Sequence, residues 1–519
     1  MKNIIIILLF MFVNNFAFAN NLNIGSTSFN AANKTVSFTI SWDNSWRVTT
    51  GPSNWDAVWV FIKRQACSST NIWASALLST TSADHTTAIG SGTNLLTVDA
   101  TSDGMGVFIR RSALTTATGS IGTHTITLKL NASSTTNPTI ITGDNDNFKV
   151  MGLEMVYVPQ GSFYLGDGRA TNAGNFSAGS VANTALLIDA AKQNAGLGIA
   201  TVYTSSFTYG APSALPASFP LGYNGFYCMK YELGVSAYLD FINSLDYDQQ
   251  AQKLKKWSST AFPNILNAEI TRSGAVSIKV SVPGTFNTIP ATFSQSFYST
   301  YKPIHELNWQ DLASYLDWSG LRPMTEFEFE KACRGNNAGT PNNPVANEYP
   351  WGNTTLTSAT YSSNNGYVNE LIGQAGQNGV CAYTVNDFTT NNPMRSGSPA
   401  TATTNRVQAG ATYYGIMEMA GNVYEQCVGG GNGYDYSSFT TINGDGSLTN
   451  LGLANVTGWP TYGGTNSGTI LRGGGSNCNS TNYIQVSDRS LLAGSTLNSE
   501  ANNNSQNAVG GRGVRTMSY

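Results

Sequence analysis

Thiol or soft-metal chemistry in this chain would have to come from six cysteines, Cys67, Cys228, Cys333, Cys381, Cys427 and Cys478. No two of them stand in a Cys-x-x-Cys spacing, so a structural zinc site is not expected. Imidazole chemistry would rest on His85, His124 and His305, which are isolated from one another. A catalytic triad or a His-held metal would need folding to bring them together. A third chemistry is sugar binding. Ser41-Trp-Asp-Asn-Ser-Trp-Arg47 and Asn54-Trp-Asp-Ala-Val-Trp59 set indoles beside Asp, Asn and Arg. Flat aromatic faces with planar polar groups can hold sugar rings. The same residues also suit a Trp-filled core with polar turns, and both readings stand.

The elements that must position these residues fall into two groups. Between residues 20 and 147 the pattern is all-β. Val36, Phe38, Ile40 and Trp42 alternate with Thr35, Ser37, Thr39 and Ser41, the period of a half-buried strand. Ala57 to Ile62 is an unbroken apolar run, as in a central strand, and Val107 to Ile109 and Ile126, Leu128 and Leu130 continue the series. A β-sandwich is predicted there, followed by a Ser/Thr/Asn/Asp-rich linker over Asn131 to Asn147. From residue 148 to 519 short strands, helices and long Gly/Asn-rich loops take over. Tyr238, Phe241, Ile242 and Leu245 mark one helix, and Trp309, Leu312, Ala313 and Leu316 a second. A third is predicted after Thr325, with Glu328 completing a capping box, Met324 stapling to Phe329 and Gly335 ending it. Residues 168 to 222 and 246 to 302 read as insertions, with a possible strand over Val276 to Val282.

Composition narrows the function classes. Charged residues make up 11% and the net charge is -3, with no basic block, so nucleic-acid binding lacks its electrostatic footprint. Aromatics at 11% give ample apolar surface to bury, which excludes a disordered chain. Lys2, the apolar run Ile4 to Val13 and Ala17-Phe-Ala19 form a signal-peptide pattern over 1–19, cut before Asn20. The apolar run is too short to span a bilayer, and no later stretch is apolar enough. The expected protein is exported and has no transmembrane segment: periplasmic, at the cell surface or secreted.

Four stretches of the second part, taken in order, carry a family resemblance. They are Met155 to Gly166; Tyr231-Glu232 leading into the Ser236 helix; Pro303 to Gly335 with Tyr349-Pro-Trp-Gly-Asn353; and Gly415 to Glu425 with Leu471-Arg-Gly-Gly-Gly-Ser-Asn-Cys478 and Gly511-Arg-Gly-Val-Arg515. This set resembles the formylglycine-generating enzyme, or sulfatase-modifying factor, family over about 150 to 519. The resemblance implies an α+β fold, a C-type-lectin-like variant, here preceded by the all-β sandwich. Such combinations are similar to those of exported bacterial proteins.

The family's catalytic members oxidise a sulfatase cysteine with O2 and copper held between two thiolates, the soft ligands Cu(I) prefers. Counted from Arg472, Cys478 takes the first thiol position, but Tyr483 stands at the second. Gly475 and Asn479 replace the family's serine and histidine. Cys478 is therefore read either as catalytic, if Cys381 or Cys427 arrives from a distant loop, or as a structural cysteine. The resemblance also implies a structural Ca2+ held by Glu418, Gly421, Val423 and Glu425, oxygen donors of the kind calcium takes, although Glu418 is longer than the usual Asp or Asn. The alternative is that Glu425 only pairs within a turn. The family's iron branch needs several histidines, and only His305 lies in this part.

Two functions follow. One is a non-catalytic scaffold binding a glycan or protein ligand, with the polar stretch Ser476 to Asn507 as an adaptable surface. The other is an oxygen- and copper-dependent oxidase of a protein or small-molecule thiol.

Overall fold

The computed structural model describes residues 21–517 apart from 66–72, 116–117, 132–145, 169–174, 179–183, 199–201, 205–213, 255–266, 269–277, 280–300, 306, 336–343, 365–366, 384–392, 430–435, 462–467, 479 and 491–507. The signal-peptide pattern, Cys67, Asn479, most of the expected linker and much of the polar stretch after Ser476 lie outside the described residues. The molecule is mostly β with few helices.

The N-terminal strands are β1 (Asn23–Ile24), β2 (Ser28–Asn30), β3 (Thr35–Ser41), β4 (Asp56–Gln65), β5 (Trp73–Ser75), β6 (Thr86–Ile89), β7 (Leu96–Ala100), β8 (Val107–Arg111) and β9 (His124–Lys129). One sheet runs β1-β3-β9-β6, with β2 on β3. The alternation read in β3 is the alternation observed, with Val36, Phe38 and Ile40 buried and their neighbours half-exposed. The opposing sheet contains β4, β5, β7 and β8. Val58, Val60 and Ile62 meet Val36, Phe38 and Ile126 in one buried cluster between the two sheets.

The other face of β4 has a different task. Side chains alternate across a strand, so Ala57, Trp59 and Phe61 point away from that first core. They join a second cluster with Leu153, Tyr227, Phe241, Leu316 and Trp318 of the C-terminal part. This is why Ala57 to Ile62 is apolar without a break: the strand separates two cores.

The backbone crosses the same seam. Strand β10 (Asn147–Val158) pairs with β4 from Asn147↔Gln65 to Val156↔Asp56 and then, on its other edge, with β11 (Phe226–Met229). The chain leaving the expected linker is thus the central strand of an eight-stranded sheet. That sheet ends in β12 (Arg322–Pro323) and β17 (Gly513–Arg515), in the order β12-β17-β11-β10-β4-β8-β7 with β5 on β4. Side chains reinforce the seam: Trp59 Nε1 donates to Ser319 O at 2.9 Å, and Arg515 bonds both Asp103 oxygens at 2.7 and 2.6 Å.

The three expected helices stand where their apolar periodicity places them: α1 (Val235–Asn243), α2 (Trp309–Trp318) and α3 (Glu326–Arg334). Two further helices, Ala190–Ala195 and Tyr247–Leu254, lie in the stretches read as insertions. Thr325 and Glu328 form the capping box of α3, and Met324 and Phe329 lie in one cluster. Helix α2 has a capping box of its own, Asn308 with Asp311. Of the second insertion, only Asn267–Ala268 pairing with Ile278–Lys279 is described beyond residue 254 and before 301.

Candidate functional site

The loop bearing Cys478 hangs from a three-stranded sheet: β14 (Tyr424–Val428) at its centre, β15 (Thr469–Arg472) antiparallel and β16 (Val509–Gly510) parallel to it. Cys381 lies in a separate short strand, β13 (Val380–Cys381), parallel to Thr357–Ser358.

Arg472 ends β15 and is clamped by α3. Its Nη1 bonds Glu326 at 2.9 Å and its Nη2 bonds Glu330 at 2.7 Å and Val486 O at 2.6 Å. Glu326 also takes Arg489 in a two-point pair at 2.6 and 2.8 Å, and Arg334 bonds Glu330 and Glu348. Helical spacing of four puts Glu326, Glu330 and Arg334 on one face. Burial alone would raise the Glu330 carboxyl, but Arg334 and Arg472 outweigh it and hold it below its ordinary range.

Past that anchor the backbone turns through Gly473 and Gly474, at φ 77° and 69°. Cys478 then folds back, its sulfur 3.0 Å from Gly475 N–H and 3.1 Å from the Tyr424 hydroxyl. A Cβ on Gly474 would lie 2.8 Å from that sulfur, and one on Gly475 2.9 Å from both Ala508 and Tyr424. The family's serine is therefore sterically excluded at 475 in this packing. Cys478 is 2% exposed, and burial pushes its thiol up, with the Tyr424 and Gly475 hydrogen bonds offsetting only part. That shift disfavours the thiolate, the form that acts as nucleophile and metal ligand.

Of the two distant cysteines named as possible partners, one arrives. Cys381 lies in the same buried cluster as Cys478, with Tyr349, Trp351, Tyr424 and Ile484, while Tyr483 packs half-buried against it. Burial, then the neighbouring Cys478, pushes the Cys381 thiol well above its ordinary value. Cys427 sits instead in another cluster with Cys228, Cys333 and Phe329. Cys228, Cys333, Cys381, Cys427 and Cys478 are all unbridged. His85 and His124 are engaged with backbone groups of the N-terminal sheets.

Adjoining the thiols is a carboxylate cluster. Glu418, at φ 53°, accepts from Gly397 N–H at 2.6 Å through Oε1. Glu425 accepts from Arg512 Nε at 2.8 Å through Oε1. The second oxygen of each is buried and accepts no hydrogen bond. Glu232 stands with them, taking Val423 N–H at 2.8 Å and the Asn422 amide at 2.7 Å. Burial pushes the Glu418 carboxyl up to about 7, and burial and then Glu418 push Glu232 well above its usual range. A cavity of about 20 Å3, lined by Cys381, Arg395, Ser398, Glu418 and Asn422, joins the two clusters. Among the described residues no three His, Cys, Asp or Glu side chains form a metal cage. A cation here would rest on two carboxylates and backbone carbonyls, and the two unpartnered oxygens are donors that suit a hard ion.

Sequence reading had Glu418 and Glu425 but gave no role to Glu232 or Arg512. Their only signal was membership of the motifs Tyr231-Glu232 and Gly511 to Arg515. The Trp-rich segments divide: Trp42 and Trp59 are core, whereas Trp46 and Trp55 are half-buried. Buried Asp56 organises the first segment, accepting from Trp42 Nε1, Ser45 Oγ and Trp46 N at 2.8, 2.8 and 2.9 Å.

Comparison with known proteins covers this region. The sulfatase-modifying factor enzyme 1-like domain matches residues 143–517. The chain is similar to the formylglycine-generating enzyme of Mus musculus, 26% identical over 208 residues, which are 39% of this chain and 48% of that protein. It is similar to that of Thermomonospora curvata, 27% over 151 residues, 28% of this chain and 40% of the other. The enzyme of Bos taurus is 27% identical over 137 residues, 25% and 34% respectively. The chain spans about half or less of the length of these curated relatives.

Proposed function

The chain belongs to the sulfatase-modifying factor enzyme 1-like family, and from that premise we propose that it is a non-catalytic member. In this reading it is an exported protein that uses a lectin-like scaffold, preceded by a β-sandwich, to bind a glycan or protein ligand. The observation that carries the reading is the packing of Cys478: it is buried and hydrogen-bonded to Tyr424 and Gly475, with Tyr483 at the position of the family's second thiol. Fold alone does not transfer chemistry. No helix among the described residues is long and apolar enough to cross a membrane.

One observation favours a second reading, an oxidase. Cys381 shares the cluster of Cys478, so copper(I) would draw on one sulfur from β13 and one from the loop after β15, and the bound metal would supply the oxygen chemistry. Copper(I) competition against a chromogenic chelator, with oxygen uptake in the presence of a thiol, separates the two. The expected result is no stoichiometric copper and no uptake. Tight one-to-one copper binding, lost in both Cys381→Ser and Cys478→Ser, would replace the first reading with the second.

Calcium belongs to the same proposal, held by Glu418 and Glu425 side chains and the carbonyls of Gly421 and Val423. A ligand that binds only the folded state stabilises by mass action, about 2.7 kcal/mol at a hundredfold excess over Kd. Calcium is expected to raise Tm over an EDTA-treated sample, with the increment lost in Glu425→Gln. Equal Tm with calcium and with EDTA would remove the ion from the account.

A further inference from the structure

We propose that the cleft between the Trp46 turn and residues 400–415 is a saccharide site for a pyranose ring, preferentially one carrying a carboxylate. This rests on the non-catalytic binding reading and gives it a place and a ligand class. The cleft holds about 450 Å3, within the ~300–1,000 Å3 typical of small-molecule sites, and such sites favour junctions between packed units. Both parts of the chain build it: Asn44, Trp46 and Thr115 from one side, Thr404, Arg406 and Tyr413 from the other.

The aromatic wall is pre-set. Trp46 Nε1 donates to Asn54 Oδ1 at 3.1 Å, and its backbone N–H is held by Asp56. Asn54 in turn donates across the seam to Tyr414 O at 2.8 Å. Lys230 Nζ stands 5.4 Å from the Trp46 ring centroid, and glycine at 415 is what lets the indole lie close, since a Cβ there would be 3.2 Å from it. A side chain already fixed loses little entropy on binding. Trp46 and Tyr413 are nonetheless only half-buried, which leaves aromatic surface facing the cleft.

The polar groups choose the ligand. The lining holds amides and threonine hydroxyls that match a ring of hydroxyls, and among the described residues its sole charged member is Arg406. Arg406 is exposed and anchored through Nη1, to Trp351 O at 3.1 Å and Ala411 O at 3.4 Å. The rest of its planar fork remains for a carboxylate, the group guanidinium pairs with best. Among the described residues no acid lines the cleft to repel such a group.

The test titrates the full chain with glucuronate, galacturonate, glucose and N-acetylglucosamine, followed by tryptophan fluorescence and saturation-transfer NMR. A saturable response is expected, at least about tenfold stronger for a uronate than for glucose. Arg406→Ala should erase that preference, and Thr404→Trp, which fills the cleft from its rim, should abolish the response with Tm unchanged. Binding that survives Thr404→Trp, or no response to any of the four sugars, overturns the cleft. Either result leaves the non-catalytic reading standing, because that falls only on the copper and oxygen measurement.

Discussion

Glu326→Ala should destabilise the fold by about 3–5 kcal/mol, the loss expected when one partner of a buried ion network is removed. Glu326 is fully buried and accepts both the Arg472 and the Arg489 guanidinium. Alanine would leave two buried cations sharing fewer carboxylates, because Glu330 is already divided between Arg334 and Arg472. The damage should also be local. Arg472 ends the strand that delivers the Gly473–Gly475 turn, so the packing around Cys478 loosens with it. Chemical denaturation reads the free energy, and the rate at which a thiol reagent reaches Cys478 reads the local effect. Asp240→Asn is the control: its pair with Lys149 is about two-fifths exposed on both sides and should be worth under ~1 kcal/mol. A loss at Glu326 as small as that of the control would show that the network carries little of the stability.

A chain begun at residue 148 should fail to fold cooperatively. It retains nearly all of the segment matched to the family, 143–517. What it loses is the neighbour of β10, a strand paired to β4 over ten positions. It also loses Trp59, Phe61, Met105 and Phe108, which complete the cluster around Leu316 and Trp318. Two helix-terminal carbonyls go unpaired: Trp318 O, bonded by Lys63 Nζ at 2.6 Å, and Ser319 O, bonded by Trp59. The buried Arg515 is stripped of Asp103 and of the Trp59 ring 4.2 Å from its guanidinium. An apolar strand edge would then face water, the arrangement that drives aggregation. Size-exclusion and thermal melts of the truncated chain decide the matter. A monomer with one sharp transition near that of the full chain would mean the seam is only a docking surface.

The two cases differ in how far they could be read from residue order. Glu326, Glu330 and Arg334 are four apart on a helix whose start and stop are marked by Thr325, Glu328 and Gly335, so their shared face is a local property. Their guanidinium partners Arg472 and Arg489 lie more than a hundred residues on. Likewise the unbroken run Ala57 to Ile62 is legible as a strand buried on both faces, but nothing in it says that the second face belongs to the C-terminal part. The expected linker after Asn131 pointed to separation, whereas Asn147–Val158 carries the sheet across.

At the candidate site the same division holds. Residue order alone determined the family, three of the helices with the cap of the last, the position of Cys478 relative to Arg472, and the loss of a neighbouring cysteine at Tyr483. These follow from spacing, period and short-range hydrogen bonding, which act over a few residues. Only the tertiary structure decided that Cys381 rather than Cys427 shares the cluster of Cys478, that Arg512 takes one oxygen of Glu425, and that Gly475 has no room for a serine. It also decided that Trp46, unlike Trp42, faces a cleft. Each of these depends on contacts between strands far apart in the chain, where burial and charge pairing select the neighbours and local pattern carries no record of the choice.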